Sequence, residues 1–262
     1  MIRLVELLTT TWTSIDELCS SLSEEEWKRP TGCPGWSVQD NVSHLIDFEA
    51  TALGRPRPEH QVGEVPHAKN DMGTINEIGV DARRRLPGPE VLAEYREVTA
   101  ARLGQLAGLT DEDLDRETET PIGPGTIRDL LTLRVMDTWS HEQDIRRALG
   151  RPGHVEGPVV EHSIEYFARF VPFAVAKKAG APDGTTVVFH VGSAAPFAVA
   201  VEGRRGGPLD ALPDDPTVVL KTDPGTFEAL VGGRSDADMS KVDIAGDVEL
   251  GRRIAEHLGF MP

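Results

Sequence analysis

Apolar residues recur at every third or fourth position through the first half of the chain and then give way to short alternating runs. Leu4, Leu7, Leu8, Ile15 and Leu18 share one face of residues 2–21, with Leu22 in line just beyond, which predicts an amphipathic first helix. TGCPGWS interrupts that pattern. Ser37, with Asp40 three positions on, then forms a weak version of a capping box, and VQDNVSHLIDFEATAL follows as a second helix. Its buried arc is Val38, Val42, Leu45, Phe48 and Leu53, with His44 at the edge of the arc beside Phe48. Residues 54–71 are rich in proline, glycine and charge and read as a long loop, so a lid is expected there. INEIGVDARRRL predicts a helix that stops at Pro87 and Gly88. PEVLAEYREVTAARLGQLAGL predicts another with Pro89 at its start, and after the break TPIGPGT the stretch RDLLTLRVMDTWSHEQDIRRALG reads as a long helix.

Beyond GRPGHVEGP the period changes. A helix over 159–178, bent at Pro172, leads into the strands TTVVFHV, PFAVAVE, TVVLKT and KVDIAG, with helices at GTFEALVGG and DVELGRRIAEHL. The fold class expected is therefore α+β: an N-terminal antiparallel four-helix bundle over residues 1–152 and a smaller α+β domain over 153–262. No internal repeat connects the halves.

Composition narrows the function. The chain has 262 residues, 39% of them hydrophobic, and no apolar run of membrane-spanning length. Its beginning reads as an amphipathic helix rather than a signal peptide. Cys19 and Cys33 are its only cysteines, too few for a disulfide framework, which fits a reducing cytoplasm. A formal net charge of -16 argues against nucleic acid and anionic membranes as partners. A small anionic substrate then needs local cations, and Arg83, Arg84 and Arg85 form one cluster, with Arg134 a second candidate. The other reading of the arginine run is a solvated helix surface.

Candidate chemistry is concentrated in the long helix. Projected at about 100° per residue, Ile127, Leu130, Leu131, Ile145, Ala148 and Leu149 occupy one arc, and Arg134, Asp137, Thr138 and His141 fall inside it. Buried polar groups need partners. Asp137 and His141, four residues apart, can offer oxygen and nitrogen to one divalent cation, or they can satisfy each other. A third ligand decides between these readings, and His44, near the inward face of a different helix, is the best candidate. A zincin motif is excluded because Ile145 stands where its second histidine belongs. His60, His67, His154, His162, His190 and His257 read as exposed or structural, Cys33 as structural, and Trp36 and Trp139 as packing residues.

CPGWSVQDNVSHL around His44, RVMDTWSHEQDIRRALGRPGH around Asp137 and His141, and the ending VDIAGDVELGRRIAEHLGF together resemble the mycothiol-dependent maleylpyruvate isomerase family, within the DinB-like group of metal-binding four-helix bundles. The last stretch is similar to sterol-carrier-like α+β domains. The resemblance implies a divalent metal, zinc in the family, on His44, Asp137 and His141, although the characterised isomerase has glutamate where this chain has Asp137. It also implies mycothiol as thiol cosubstrate. In the family reaction the thiolate adds to an unsaturated acid, the former double bond rotates, and the thiolate leaves. From these residues Arg83, Arg84 and Arg134 are expected as catalytic cations, with Asn76, Asp144 and Arg204 (or Arg205 or Arg234) at the cofactor. The protein is expected to be a monomer or homodimer, acting as an isomerase or as a thiol transferase. The alternative is a non-catalytic binder of an apolar ligand whose metal is structural, in a shell closed by a fourth protein ligand such as Asp144 or Cys33.

Overall fold

A computed structural model describes residues 2–260 and divides them into two compact units that meet at Pro152–Gly153. The first unit is helical. It contains α1 (Arg3–Cys19), the short α2 (Glu24–Trp27), α3 (Val38–Ala52), α4 (Asp71–Arg83), α5 (Gly88–Leu106) and α6 (Ile127–Leu149). Helix α1 packs on α5 and α6, and α3 packs on α4, α5 and α6. Cross-links between α3 and α6 run Asn41 to His141, His44 to Asp137 and Glu49 to Arg134, so these two helices are antiparallel. Leu8, Ile15, Val42, Leu45, Val91, Leu131 and Trp139 fill the core between them.

Local chemistry fixes the ends of the helices that matter. Ser37 accepts from the Asp40 N–H while Asp40 reaches back to the Ser37 N–H, which sets the start of α3 two turns before His44. Thr126 and Asp129 form the same reciprocal pair at the start of α6, and Gly150 closes it in the left-handed conformation at φ 63°. The stretch TPIGPGT, read from sequence as a simple break, is part of a hairpin: β1 (Glu117–Thr120) pairs antiparallel with β2 (Gly123–Thr126) and delivers the chain directly into α6. Helix α4 begins at Asp71 rather than Ile75, because the Asn70 side chain caps the Gly73 N–H.

The second unit carries α7 (Pro158–Ala168), α8 (Val171–Phe173) with a π turn over 174–178, β3 (Thr186–Val191), β4 (Phe197–Glu202), β5 (Arg205–Leu209), β6 (Val218–Thr222), α9 (Pro224–Val231), β7 (Asp243–Gly246) and α10 (Val248–Glu256). The strands form one five-stranded sheet in the order β5-β4-β3-β6-β7. Only β3 and β6 are parallel, with Phe189 opposite Leu220. Phe167, Phe189, Phe197 and Phe227 cluster at its centre, the Phe189 and Phe197 rings stacked at 4.9 Å. The single bent helix expected over 159–178 is broken instead, since the Pro172 ring excludes the carbonyl of Ala168 from a continuing helix. Strand β5 gave no sequence signal, because RGGPL lacks branched and aromatic residues. Its Gly206 passes so close to α8 that a Cβ would stand 1.9 Å from the Pro172 carbonyl oxygen. Among the described residues no helix is long and apolar enough to cross a membrane.

Candidate metal centre

His44, Asp137 and His141 converge between α3 and α6. Each offers one ligand atom, and these atoms lie within 4.8 Å of one another. His44 Nε2 is 3.4 Å from Asp137 Oδ2, and His141 Nε2 is 3.7 Å from Asp137 Oδ1. Ligands about 2.1 Å from a tetrahedral zinc ion stand about 3.4 Å apart, so the donor set and its spacing fit a divalent cation. Both histidines are buried, and the Asp137 side chain is 15% exposed, which leaves the cluster open on one side.

Surrounding groups orient all three. Asn41 Oδ1 lies 2.7 Å from His141 Nδ1, and Asp144 Oδ2 lies 3.4 Å from the same nitrogen. A carboxylate only accepts, so the proton belongs on Nδ1 and Nε2 keeps its lone pair toward the cluster. Arg134 holds Asp137 Oδ2 through Nη1 and is held in turn by Glu49, 2.9 Å from its Nε. Burial by itself would raise the Asp137 pKa, but Arg134 and the two imidazoles outweigh it and hold the carboxyl well below the usual carboxylate range. Burial also lowers the His44 pKa, which favours the neutral, ligating imidazole.

Trp36 walls the cluster, its ring 5.1 Å from that of His44 and 5.6 Å from that of His141. Its Nε1–H donates to Glu77 Oε1 at 2.5 Å, and His67 Nε2 meets the same oxygen at 2.7 Å. Sequence reasoning took Trp36 for a packing residue and missed Asn41, Glu49 and Glu77 altogether. The available signal was their position: Asn41 and Glu49 are polar residues that bracket His44 on a helix otherwise read by its apolar arc. The segment 54–71, expected as a lid, is tied down by Arg55–Glu97, Arg57–Asp47, His60–Asp81 and His67–Glu77.

The remaining expected site residues fall elsewhere. Arg83 makes a bidentate pair with Glu94 and donates to the Gly79 carbonyl, and Arg84 bridges Asp40, Glu77 and Asp81. These guanidinium groups are turned to the protein's own acids. Asn76 is half-buried on α4. Asp144 sits behind the His141 ring, with its Oδ1 2.6 Å from Arg147, rather than beside the Nε2 atoms. Arg204 belongs to the second unit, exposed at the β4–β5 turn with φ 71°, next to the exposed Arg205, while Arg234 is buried 3.8 Å from Glu228. Burial pushes the Cys19 thiol up to about 12, so that group is inert packing.

A helical unit with an inward His/Asp/His cluster, followed by an α+β unit, defines the class of protein. Residues 8–146 match the mycothiol maleylpyruvate isomerase N-terminal domain family, and the chain belongs to that family. It is 29% identical over 139 residues to uncharacterized proteins of Mycobacterium tuberculosis, MT0041 of strain CDC 1551 / Oshkosh and Rv0036c of strain H37Rv. The match covers 52% of this chain and 52% of each relative, so the chain spans about half the length of the curated relatives it matches. The fold is similar to that of the crystal structure of the mycothiol-dependent maleylpyruvate isomerase, with TM-score 0.56 and 15% identity, covering 94% of this chain and 93% of the other. A histidine-to-alanine mutant of that isomerase gives the same TM-score of 0.56 at 14% identity, again over 94% of this chain and 93% of the other.

Proposed function

We propose that the protein is a divalent-metal-dependent, mycothiol-dependent enzyme built from domains 1–152 and 153–262. His44, Asp137 and His141 are its metal ligands. The observation that carries this reading is the convergence of two imidazole Nε2 atoms and one carboxylate on a single point, from two helices, with both His141 and Asp137 oriented from behind. Family membership supports the thiol and the class of reaction. A divalent cation held by two neutral imidazoles and one carboxylate retains net positive charge and lowers the pKa of a thiol that joins it, which supplies a sulfur nucleophile at neutral pH.

The chain's own residues do the rest. Asn41 keeps the His141 proton on Nδ1, Arg134 fixes the rotamer of Asp137, and Trp36 keeps water from one side of the imidazoles. Arg83 and Arg84 hold α4 in place and leave recognition of a carboxylate substrate to other groups, with Arg204 and Asn76 as candidates for the thiol cofactor. The reaction is cis-trans isomerisation of an unsaturated acid, or transfer of the thiol to a small electrophile. Asp144 bears on the alternative of a closed structural site, because it backs Nδ1 of His141 rather than adding a fourth ligand beside Nε2.

Metal analysis of the purified protein together with calorimetric titration of mycothiol tests the proposal. One divalent ion per chain and thiol binding that disappears on chelation are expected. Protein that takes up no ion and binds no thiol in the presence of zinc would falsify it.

A further inference from the structure

A line of buried charges runs from the metal centre across three helices. Arg134 on α6 and Glu49 on α3 are each 1% exposed, and the Arg134 Nε–Glu49 Oε1 distance is 2.9 Å. Behind them, Arg102 on α5 places Nε 3.2 Å from the other Glu49 oxygen and donates through Nη1 to Gln105. Phe48 covers the Arg134 guanidinium at 3.8 Å from its ring centroid. The signs therefore alternate, Arg102, Glu49, Arg134, and the line ends on Asp137 Oδ2. Buried ion lines of this sort contribute little net stability, since desolvation offsets their attraction. Their end contact on a carboxylate of the triad points to another role.

We propose that Glu49 and Arg102 are positioning residues for the metal centre, which set how strongly Arg134 competes with a bound divalent cation for Asp137. The inference rests on the ligand assignment above. Arg134 and the cation share one carboxylate and repel each other. Glu49 counters Arg134 by charge and holds its Nε side, and Arg102 in turn draws on Glu49. Each charge along the line thus acts on the cation with a sign opposite to that of the next. Loss of Glu49 leaves Arg134 uncompensated and weakens cation binding. Loss of Arg102 frees Glu49 to neutralise Arg134 and tightens it.

The test uses the full chain, stripped by chelator and titrated with zinc in competition with a chromophoric chelator. Cobalt absorption in parallel reports the coordination geometry, and thermal unfolding of the metal-free proteins reports folding. Glu49→Gln should bind zinc about tenfold or more weakly, Arg102→Gln several-fold more tightly, and the double variant close to wild type, an order of magnitude expected for a full charge at this depth. Unchanged affinity, or weakening by both single substitutions as generic loss of core packing would give, overturns the proposal. Should Glu49→Gln not fold, Arg102→Gln decides alone: tighter binding supports the proposal, and weaker or equal binding overturns it. Wild-type protein that binds no zinc overturns the ligand assignment and this inference together, whereas wild-type binding with shifts of one sign overturns this inference only.

Discussion

Oδ1 of Asn41 lies 2.7 Å from Nδ1 of His141, across the seam between α3 and α6. The Asn41 amide nitrogen donates to the Ser37 carbonyl at 2.8 Å and to Thr31 Oγ1 at 3.2 Å, so the capped first turn of α3 fixes the asparagine and the asparagine fixes the imidazole. Removing the support of a metal-ligating ring costs roughly 10- to 100-fold in metal affinity, and His141 is such a ring on the proposed assignment. Asn41→Ala should show that loss in a zinc competition titration, with helical circular dichroism retained. Unchanged affinity would mean that Asp144 alone suffices to orient His141.

The proposed ligands themselves should be far less forgiving. On the proposed assignment His44→Ala and His141→Ala should each lose stoichiometric zinc and thiol-dependent activity while the bundle stays folded, because buried apolar residues such as Val42, Leu45, Leu131 and Trp139 still pack the two helices. Elemental analysis of the purified variants is the check, and full metal content in both removes these residues as ligands.

Gly35 combines φ 77° with close contact: a Cβ there would stand 2.4 Å from Nδ1 of His67. Gly35→Ala must therefore strain the turn before Trp36 or displace His67 from Glu77. A cost of about 1–3 kcal/mol is expected in denaturant unfolding. Limited proteolysis should cut within 55–70 faster than in the wild type; equal cutting rates and equal stability would show that the turn and the His67 ring relax freely.

Acid should loosen the same segment at its other anchor. The Asp81 carboxyl is held below its usual value, first by its hydrogen bond from His60, 2.5 Å away, with Arg84 adding to the effect against partial burial. A carboxyl lowered in the folded state stabilises fully above its unfolded pKa, about 3.9, and loses that contribution as pH falls through the folded value. Wild-type melting temperature should consequently drop below about pH 4 more steeply than that of Asp81→Asn. Parallel pH profiles for the two proteins would exclude a stabilising role for the pair.

In the second unit, Gly206→Ala should be among the more damaging single-methyl additions, since the obstacle is the Pro172 backbone carbonyl rather than a movable side chain. Overpacking of this kind costs about 1–3 kcal/mol. Calorimetric unfolding that matches the wild type would show that β5 and α8 separate at no cost.

The bundle helices were legible because their apolar residues repeat over many turns and the cap of α3, Ser37 with Asp40, is a local signal. His44, Asp137 and His141 were legible for a related reason: polar groups on an apolar arc must have a partner. What escaped was chemistry made by long-range pairing. Nothing local marks Glu49 as the partner of Arg134, or Glu77 as the acceptor that Trp36 and His67 share, since these pairs form only when the helices pack. The ion pairs of Arg83 and Arg84 were hidden on the same account, as their acids Glu94, Asp40 and Glu77 lie on other turns and other helices. Strands β2 and β5 were missed because glycine and proline dominate them, and β1 because its ETET run has no apolar position; pairing rather than propensity makes all three strands.

Because His44 stands on α3 and Asp137 and His141 on α6, the last helix of the first unit, an ion held by the three as proposed could be retained only after α6 has docked against a helix made much earlier. A nascent chain still lacking α6 on the ribosome would have one imidazole to offer and nothing to close around a cation. On the proposed assignment loading follows assembly, and the metal content of a preparation would count the molecules that have completed their first unit.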